Sequence, residues 1–370
     1  MRFRDPCHVV YVTTSFPTLE NPTAGLFVAD LAERVAASGW RVTVLAPIRD
    51  GDQLCTRPGV HSEGITTSLL DPIGARESLV GSLRRTPTRV VHLPKLAWRL
   101  RRALEERAPD AALIHAHWLP SAMLMRGMDR PIVVTAHGSD ITLGLRSTRA
   151  TRALLSADAV IVGTNAAAAQ VRALTDARIE VIAPVGFEHE PERFADAEPM
   201  TSIFVGRLSE EKGIAELASA WSQVTSEVPE ARLHIVGDGP LRGLLAAPTI
   251  VHHGTQLPEA VRRLRAQTAF AVQSSLREGF GVAALESIAS GRGIVATQTG
   301  VAPELLAESG AAVLVPSGDV DALARELKRL LATPEPAASM AIAATACALP
   351  AWSDITSATV SLYSTLSAVS

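Results

Sequence analysis

The sequence predicts an α/β protein built from two doubly wound, Rossmann-like parallel-sheet domains with a cleft between them. Three observations predict it. The chain has 370 residues, more than the ~100–200 of a single domain. Short β-branched runs alternate with amphipathic helical patterns from end to end, the mark of βαβ units. Apolar residues make up 47% and charged residues 20%, ordinary for a chain that buries sizeable cores.

The first run, His8 to Thr14, reads as a strand and ends in a loop from Phe16 to Gly25 that carries proline and glycine. The helix that follows places Val28, Leu31, Ala32 and Val35 on one face and closes at Gly39. Arg41–Ala46 is the second strand, and Ala111–Ala116, Pro131–Ala136, Ala159–Gly163 and Ile179–Ala183 continue the series. Residues 184–200 change character: Pro184, Gly186, Pro191 and Pro199 punctuate an acidic stretch without apolar period, which reads as an interdomain linker. Alternation then restarts with strands at Ser202–Val205, Arg232–Val236, Ile250–His252, Ala269–Gln273, Gly293–Ala296 and Ala311–Val315. Helices are expected at Ile214–Val224, Val282–Ala289 and Val320–Leu331. The expected division is 1–184, 185–350 and a closing segment 351–370.

Several classes drop out. No run reaches the ~18 apolar residues of a membrane helix, and the start, Met1 to Pro6, lacks a hydrophobic signal core. Cys7, Cys55 and Cys347 are a scattered, odd set without disulfide or zinc spacing. A cytoplasmic protein is the expectation. The net charge of −3 hides an asymmetry: residues 1–184 carry 22 basic and 17 acidic side chains, the remainder 13 and 21. A basic first half faces something anionic, whereas a nucleic-acid binder is more often basic throughout. Only three of the 35 basic residues are lysine: Lys95, Lys212 and Lys328.

Ligands of open α/β sheets bind outside the carboxyl ends of strands, so the loops there carry the candidates. In Ser274 to Glu286, two glutamates eight apart, Glu278 and Glu286, flank Gly279 and Gly281. Glycines admit close backbone approach, helix-start amides donate to oxygens, and carboxylates accept from paired hydroxyls. The plainer alternative is a helix-dipole role for Glu278 and a solvated one for Glu286. In Val205 to Gly213, Arg207 and Lys212 precede a helix, as cations that hold a diphosphate do. A lysine in an arginine-rich chain suggests that a compact charge is wanted there, though a surface lysine among two glutamates is the alternative. Gly237 to Gly243 imperfectly matches a dinucleotide fingerprint and equally suits a helix start at Pro240. Asp50-Gly-Asp52 reads as a turn rather than a metal motif. In the first half, His115 and His117 project to the same side of a strand. With His137 they offer a zinc set lacking a fourth ligand, or cleft-lining or core residues. His137, at a strand end before Gly138, is the strongest substrate contact among them. Arg84 to Arg107 holds eight cations beside an apolar face of Leu96, Leu100, Ala103 and Leu104. It suits an anionic membrane surface or acceptor, or packs as an exposed helix on its own sheet.

Together these residues resemble the retaining glycosyltransferases of family 4, which have the GT-B fold. The specific part is the Glu-x7-Glu motif from Glu278 to Glu286, supported by Gly206-Arg-Leu to Lys212-Gly, Val236-Gly-Asp-Gly-Pro240 and the loop with Gly25. The resemblance implies that Arg207 and Lys212 bind the donor diphosphate and Glu286 the ribose hydroxyls. Glu278 would contact the donor sugar, helped by the amides of Phe280 and Gly281, and His137 would hold a hydroxyl beside the anomeric carbon. Glu278 and His137 are thus the catalytic pair implied. Gly25 and Gly237 complete the donor side. His117, Trp118 and Asp140 belong to the acceptor side, as in relatives that act on polysaccharide or lipid-linked acceptors. The first loop reads Thr23-Ala-Gly-Leu26, where many members have adjacent glycines. Trp352 to Tyr363 resembles the last helix of the family, which crosses back onto the first domain.

The implied activity is transfer of a sugar from a nucleoside diphosphate sugar to a hydroxyl of a glycan, lipid-linked or small-molecule acceptor. The leaving group departs from the face of attack, with no protein nucleophile, metal or cofactor. A uridine diphosphate sugar is favoured over a guanosine one, and no nucleic-acid partner is expected. Peripheral contact with the inner face of an anionic membrane through Arg84–Arg107 is a further expectation. The competing readings are a sugar-nucleotide epimerase or phosphorylase on the same fold, a non-enzymatic two-domain sugar-binding protein, and a dehydrogenase resting on 237–243.

Overall fold

The computed structural model describes residues 7–67, 87–138, 156–188 and 197–368. The chain divides into two compact units: Met1–Val185 with Trp352–Ser370, and Gly186–Ala351.

The first unit contains strands β1 (His8–Thr13), β2 (Arg41–Ile48), β3 (Val60–Thr66), β4 (Leu113–His117), β5 (Ile132–Ala136), β6 (Ala159–Val162) and β7 (Arg178–Val181). They form a parallel sheet in the order β3-β2-β1-β4-β5-β6-β7. Strands β1, β4, β5 and β6 are buried along their whole length, as parallel strands covered on both faces require. Helices α1 (Leu26–Ala37), α2 (Leu93–Arg107), α3 (Leu119–Met125) and α4 (Asn165–Arg172) belong to this unit. Helix α1 buries the predicted face of Val28, Leu31, Ala32 and Val35, with Ala29 added. Helix α2 buries Leu96, Leu100, Ala103 and Leu104, so the basic segment does pack one face on its own unit. Arg84 and Arg85 lie outside the described residues.

The second unit holds β8 (Glu198–Val205), β9 (Arg232–Val236), β10 (Ile250–Gly254), β11 (Thr268–Gln273), β12 (Ile294–Thr297) and β13 (Ala312–Val315). Their parallel order is β10-β9-β8-β11-β12-β13. Helices α5 (Ile214–Glu227), α6 (Pro258–Ala266), α7 (Val282–Ala289), α8 (Ala302–Leu305), α9 (Val320–Ala332) and α10 (Pro334–Ala346) accompany it. Trp221 of α5 is buried in the same core as Phe204, Leu233 and Leu327 and donates through Nε1 to Thr249 (3.0 Å), which satisfies its one polar atom.

The structure adds elements that periodicity alone did not predict. Strand β3 lies at the sheet edge and is mostly half-buried, so it carries no clean alternation. Strand β8 begins at Glu198, inside the stretch 184–200 read as linker. Its first residues are exposed and acquire strand geometry from pairing with β11, where Glu198 N donates to Gln267 O (2.8 Å). Residues 189–196 of that stretch lie outside the described residues. Helix α6 buries only Val261 and Arg265, which hides its apolar stripe. Among the described residues no helix is long and apolar enough to cross a membrane.

The last helix, α11 (Trp352–Ser367), packs Trp352, Ile355, Leu362 and Tyr363 into the core of the first unit. The Tyr363 hydroxyl donates to the Tyr11 hydroxyl (3.0 Å) and pairs with His115 Nδ1, while His115 Nε2 meets Thr135 Oγ1 (2.6 Å). All four side chains are buried, so each polar atom must find its partner within the protein. Tyr363→Phe strands His115 Nδ1 and the Tyr11 hydroxyl, and should cost about 1–3 kcal/mol. Urea unfolding of the two proteins measures it, and an unchanged midpoint would contradict it.

Candidate functional site

In the second unit the strand order reverses between β8 and β11, and ligands of doubly wound sheets sit at such switch points. The loops after these two strands are locked together by backbone chemistry. Gly213 sits at φ +64 between a 3₁₀ turn (Glu210–Lys212) and α5. A Cβ there would fall 1.9 Å from the Ser274 carbonyl oxygen, so only glycine fits both the left-handed conformation and the contact. Ser274 Oγ donates to Lys212 O (2.9 Å), and the Leu276 amide donates to Glu211 O (2.9 Å). The loop after β11 is braced from behind by Thr297, whose hydroxyl donates to Ser275 O (2.6 Å).

This clamp sets Lys212 Nζ 2.6 Å from Glu278 Oε1, and the Ser275 hydroxyl donates to the same oxygen (2.7 Å). The Glu278 side chain is 9% exposed and that of Lys212 30%. Among the described residues, no side chain is bonded to Glu278 Oε2. Gly281 (φ +99) caps α7, and Val282 and Ala283 begin it. The first amides of a helix have no intrahelical acceptor and carry its positive dipole end. Glu286 lies a turn further on, 44% exposed, with Oε2 held by Arg265 Nη2 at 2.6 Å. Arg207 is exposed just past β8 and has no carboxylate partner among the described residues. A pocket beside the ion pair is lined by Val205, Lys212, Gln273, Ser275, Glu278 and Ser287. Among the described residues neither polar atom of the buried Gln273 carboxamide has a hydrogen-bond partner, a costly arrangement for a polar group.

Lys212, Glu278, Gly281 and Glu286 are thus brought together on two adjoining loops and one helix. Phe280 belongs to the same loop, its side chain buried and its carbonyl accepting from Val301 N (2.7 Å). Gly237 has a reason of its own: a Cβ would lie 1.9 Å from the Gly206 carbonyl oxygen, so packing of the loop after β9 against the end of β8 already requires glycine. No α-helix starts at Pro240. A short 3₁₀ turn, Arg242–Leu244, follows instead, and the dinucleotide fingerprint therefore lacks the helix N-terminus that would hold a pyrophosphate. Sequence reasoning missed Gln273, Ser275 and Arg265. The signal for Arg265 is a charge four residues after Val261, at an apolar position of α6.

In the first unit, Gly25 (φ +61) precedes α1, and a Cβ would lie 2.3 Å from the Ser15 carbonyl oxygen. His117 is 1% exposed; its Nδ1 meets His137 Nε2 at 3.3 Å, so it backs His137 rather than presenting a surface. His137, half-buried at the end of β5, lies between Trp118 (4.5 Å) and Phe27 (5.0 Å) by ring centroids. Trp118 holds φ +66, a conformation that a bulky residue adopts only when its surroundings impose it. Asp140 lies outside the described residues. The three imidazoles do not converge, since His115 is committed to Tyr363 and Thr135. No group of three potential ligands placed to hold a metal ion occurs among the described residues. Asp50-Gly-Asp52 is a turn, with Gly51 at φ +83 and Asp52 Oδ1 accepting from Gln53 N (2.8 Å).

Burial lowers the pKa of His115 and of His137 to about 3, and that of His117 well below its usual value, with neighbouring imidazoles adding to the effect for His115 and His117. All three are neutral at pH 7, so His137 can exchange a hydrogen bond with a hydroxyl but brings no charge. The unfolded chain binds these protons near pH 6.5 and the folded chain does not. Stability should therefore be full above pH 6.5 and fall as the pH drops toward 3, at up to about 1.4 kcal/mol per pH unit for each histidine. Urea unfolding at pH 7 and pH 5 checks this, and equal stability at both would refute it.

Two family models cover most of the chain: one described as Glycosyltransferase Family 4 matches residues 24–185, and one described as Glycosyl transferases group 1 matches residues 199–333. A GDP-mannose-dependent alpha-(1-6)-phosphatidylinositol monomannoside mannosyltransferase of Mycolicibacterium smegmatis is 30% identical over 44% of this chain. The match spans 46% of that relative's length, less than half of it. Among solved structures, a sucrose-phosphate synthase of Thermosynechococcus elongatus superposes with a TM-score of 0.79, at 21% identity, covering 98% of this chain and 100% of its own. The Anabaena protein HepE in complex with UDP and glucose gives 0.71 at 18% identity, over 97% and 100% of the two chains. Both share the fold.

Proposed function

The chain belongs to the group 1 glycosyltransferases, with an amino-terminal half of family 4 and the GT-B fold, and we propose that it moves a sugar from a nucleoside diphosphate sugar to a hydroxyl acceptor with retention of configuration. The observation that carries this is the placement of Lys212 on Glu278 at the head of α7, with Glu286 one turn along the same helix. One cation, free helix amides and two carboxylates supply, in order, a counter-charge for a diphosphate, donors for oxygens and acceptors for paired hydroxyls.

In this reading Lys212 and Arg207 take the diphosphate and stabilise the charge that grows on it as the glycosidic bond breaks. Lys212 leaves Glu278 Oε1 for the phosphate oxygens, or bridges the two. Glu278 accepts from hydroxyls of the donor sugar, and the amides of Phe280 and Gly281 donate to it. Glu286 accepts from the ribose. Gly25 admits its loop to a phosphate, and the neutral His137 holds a sugar hydroxyl. Trp118 and Asp140 serve the acceptor side, behind which His117 supports His137. The donor is a nucleoside diphosphate sugar, with the uridine form placed first. The acceptor is a glycan, lipid-linked or small-molecule hydroxyl.

Lys212→Ala should lower donor turnover by about 10²–10³-fold, the usual loss when a charge-stabilising donor is removed. Glu286→Ala should act chiefly on donor KM. Turnover of a panel of UDP and GDP sugars, with the anomeric configuration of the product read by NMR, tests both. Unchanged turnover in the two variants would sink the site assignment, and an inverted product the retaining chemistry.

The basic helix α2 carries a second expectation, contact with an anionic membrane. Trp98 is 57% exposed and Val91 70%, and Lys95 is exposed on the same segment. Co-sedimentation with phosphatidylglycerol vesicles should be strong at low salt and weaken as ionic strength rises, because exposed charges are screened beyond a Debye length of about 8–10 Å. Absence of binding at every salt concentration rules it out.

A further inference from the structure

We propose that Arg265 is a positioning residue for donor recognition: it fixes one oxygen of the Glu286 carboxylate so that the other is presented to the ribose. The proposal rests on the reading of Glu286 given above and adds the residue that makes that role possible. Arg265 lies in the last turn of α6, and its side chain is 5% exposed although it carries a permanent charge. Its Nη2 lies 2.6 Å from Glu286 Oε2, whereas the Glu286 side chain is 44% exposed. The pair is therefore lopsided, with a buried cation under a carboxylate that is open to ligand. Among the described residues no side chain is bonded to Glu286 Oε1.

The root of Arg265 is equally fixed. Its carbonyl accepts from Arg292 Nε (3.1 Å) and from the Thr268 hydroxyl (3.0 Å). Arg292 is itself fully buried and also donates to the Ala266 carbonyl, so the end of α6 is held by a second guanidinium. A cation delivered from such an anchor leaves the carboxylate little freedom.

Stability alone is a weak reason for this pair. A buried ion pair recovers its desolvation cost only when its polar atoms are well bonded, and among the described residues Arg265 Nε has no partner. What the guanidinium adds is a carboxylate already oriented before the nucleotide arrives, so that binding does not have to quench its rotamers.

The test compares affinities of the full chain for UDP and 2′-deoxy-UDP, and for GDP and 2′-deoxy-GDP, by calorimetry. The wild type should bind its preferred ribonucleotide about 10-fold or more tightly than the deoxy form, as expected for a hydrogen bond to a charged acceptor. Glu286→Gln should bring that ratio close to one. Arg265→Met should do the same, by weakening the ribonucleotide while leaving the deoxynucleotide unchanged, and Arg265→Lys should restore part of the ratio. If Arg265→Met does not fold, Arg265→Gln, neutral but still a donor, carries the same expectation. A wild-type ratio in the neutral variants, or an equal loss for both nucleotides, overturns the positioning role. A wild-type ratio in Glu286→Gln overturns the ribose reading instead, and the role of Arg265 with it.

Discussion

The contact on which the second unit's chemistry depends is that of the Ser274 carbonyl with Gly213. A carbonyl oxygen occupies the place where a side chain would begin, 1.9 Å from an ideal Cβ position. That close approach brings the loop after β8 against the loop after β11. These strands are neighbours in the sheet but 62 residues apart at the bonded Lys212 and Ser274. Once the two backbones are in register, Lys212 has Glu278 within reach, and the positive end of α7 opens beside both. Local conformation at one glycine thus determines which charges meet.

Two carboxylates in this region are treated alike and two cations differently. Glu278 and Glu286 each have one oxygen taken by a cation, at 2.6 Å in both cases. Lys212 is partly exposed, flexible and compact, suited to release one anion and take another. Arg265 is buried and planar, suited to hold what it holds. This matches the scarcity of lysine: of three in the chain, Lys328 pairs with Glu227 on the exposed side of α5 and Lys95 lies on the exposed face of α2. Lys212 differs from Lys328 in its partner, since the Glu278 side chain is 9% exposed and that of Glu227 64%.

The first unit uses neutral groups where the second uses charges. The chain has only two tyrosines, and their hydroxyls bond each other across 352 residues, joining the first strand to the last helix. Tyr363 continues to His115, whose ring lies 4.2 Å from that of His117 between centroids and tilted by 31°, and His117 reaches His137. A contiguous series of rings therefore runs from α11 to the half-buried His137. Because burial keeps every imidazole in this series neutral, the arrangement orients His137 without placing a charge beside it.

Much of this was legible in the sequence, for identifiable reasons. Glu278, Lys212 and His137 stand where an apolar run stops, beside glycines, and such boundaries are what strand and helix periods reveal. Gln273 was lost because β11 is buried throughout, so a polar residue in it resembles an exception to the strand rather than part of a site, and Ser275, two residues past its end, is one of two adjacent serines that no period tells apart. Arg265 was lost for the opposite reason. In a helix as arginine-rich as α6, one more arginine looks like solvated surface, and only the fold shows that it occupies the position of a core residue. The same ambiguity explains α6 itself, whose stripe consists of one valine and one arginine. Sequence patterns locate groups that face outward from a regular element. They are blind to a charge that the interior accepts because another charge, 21 residues away, completes it. For such a pair the informative quantity is the difference in exposure between the partners: 5% against 44% marks Arg265 as the support and Glu286 as the group presented.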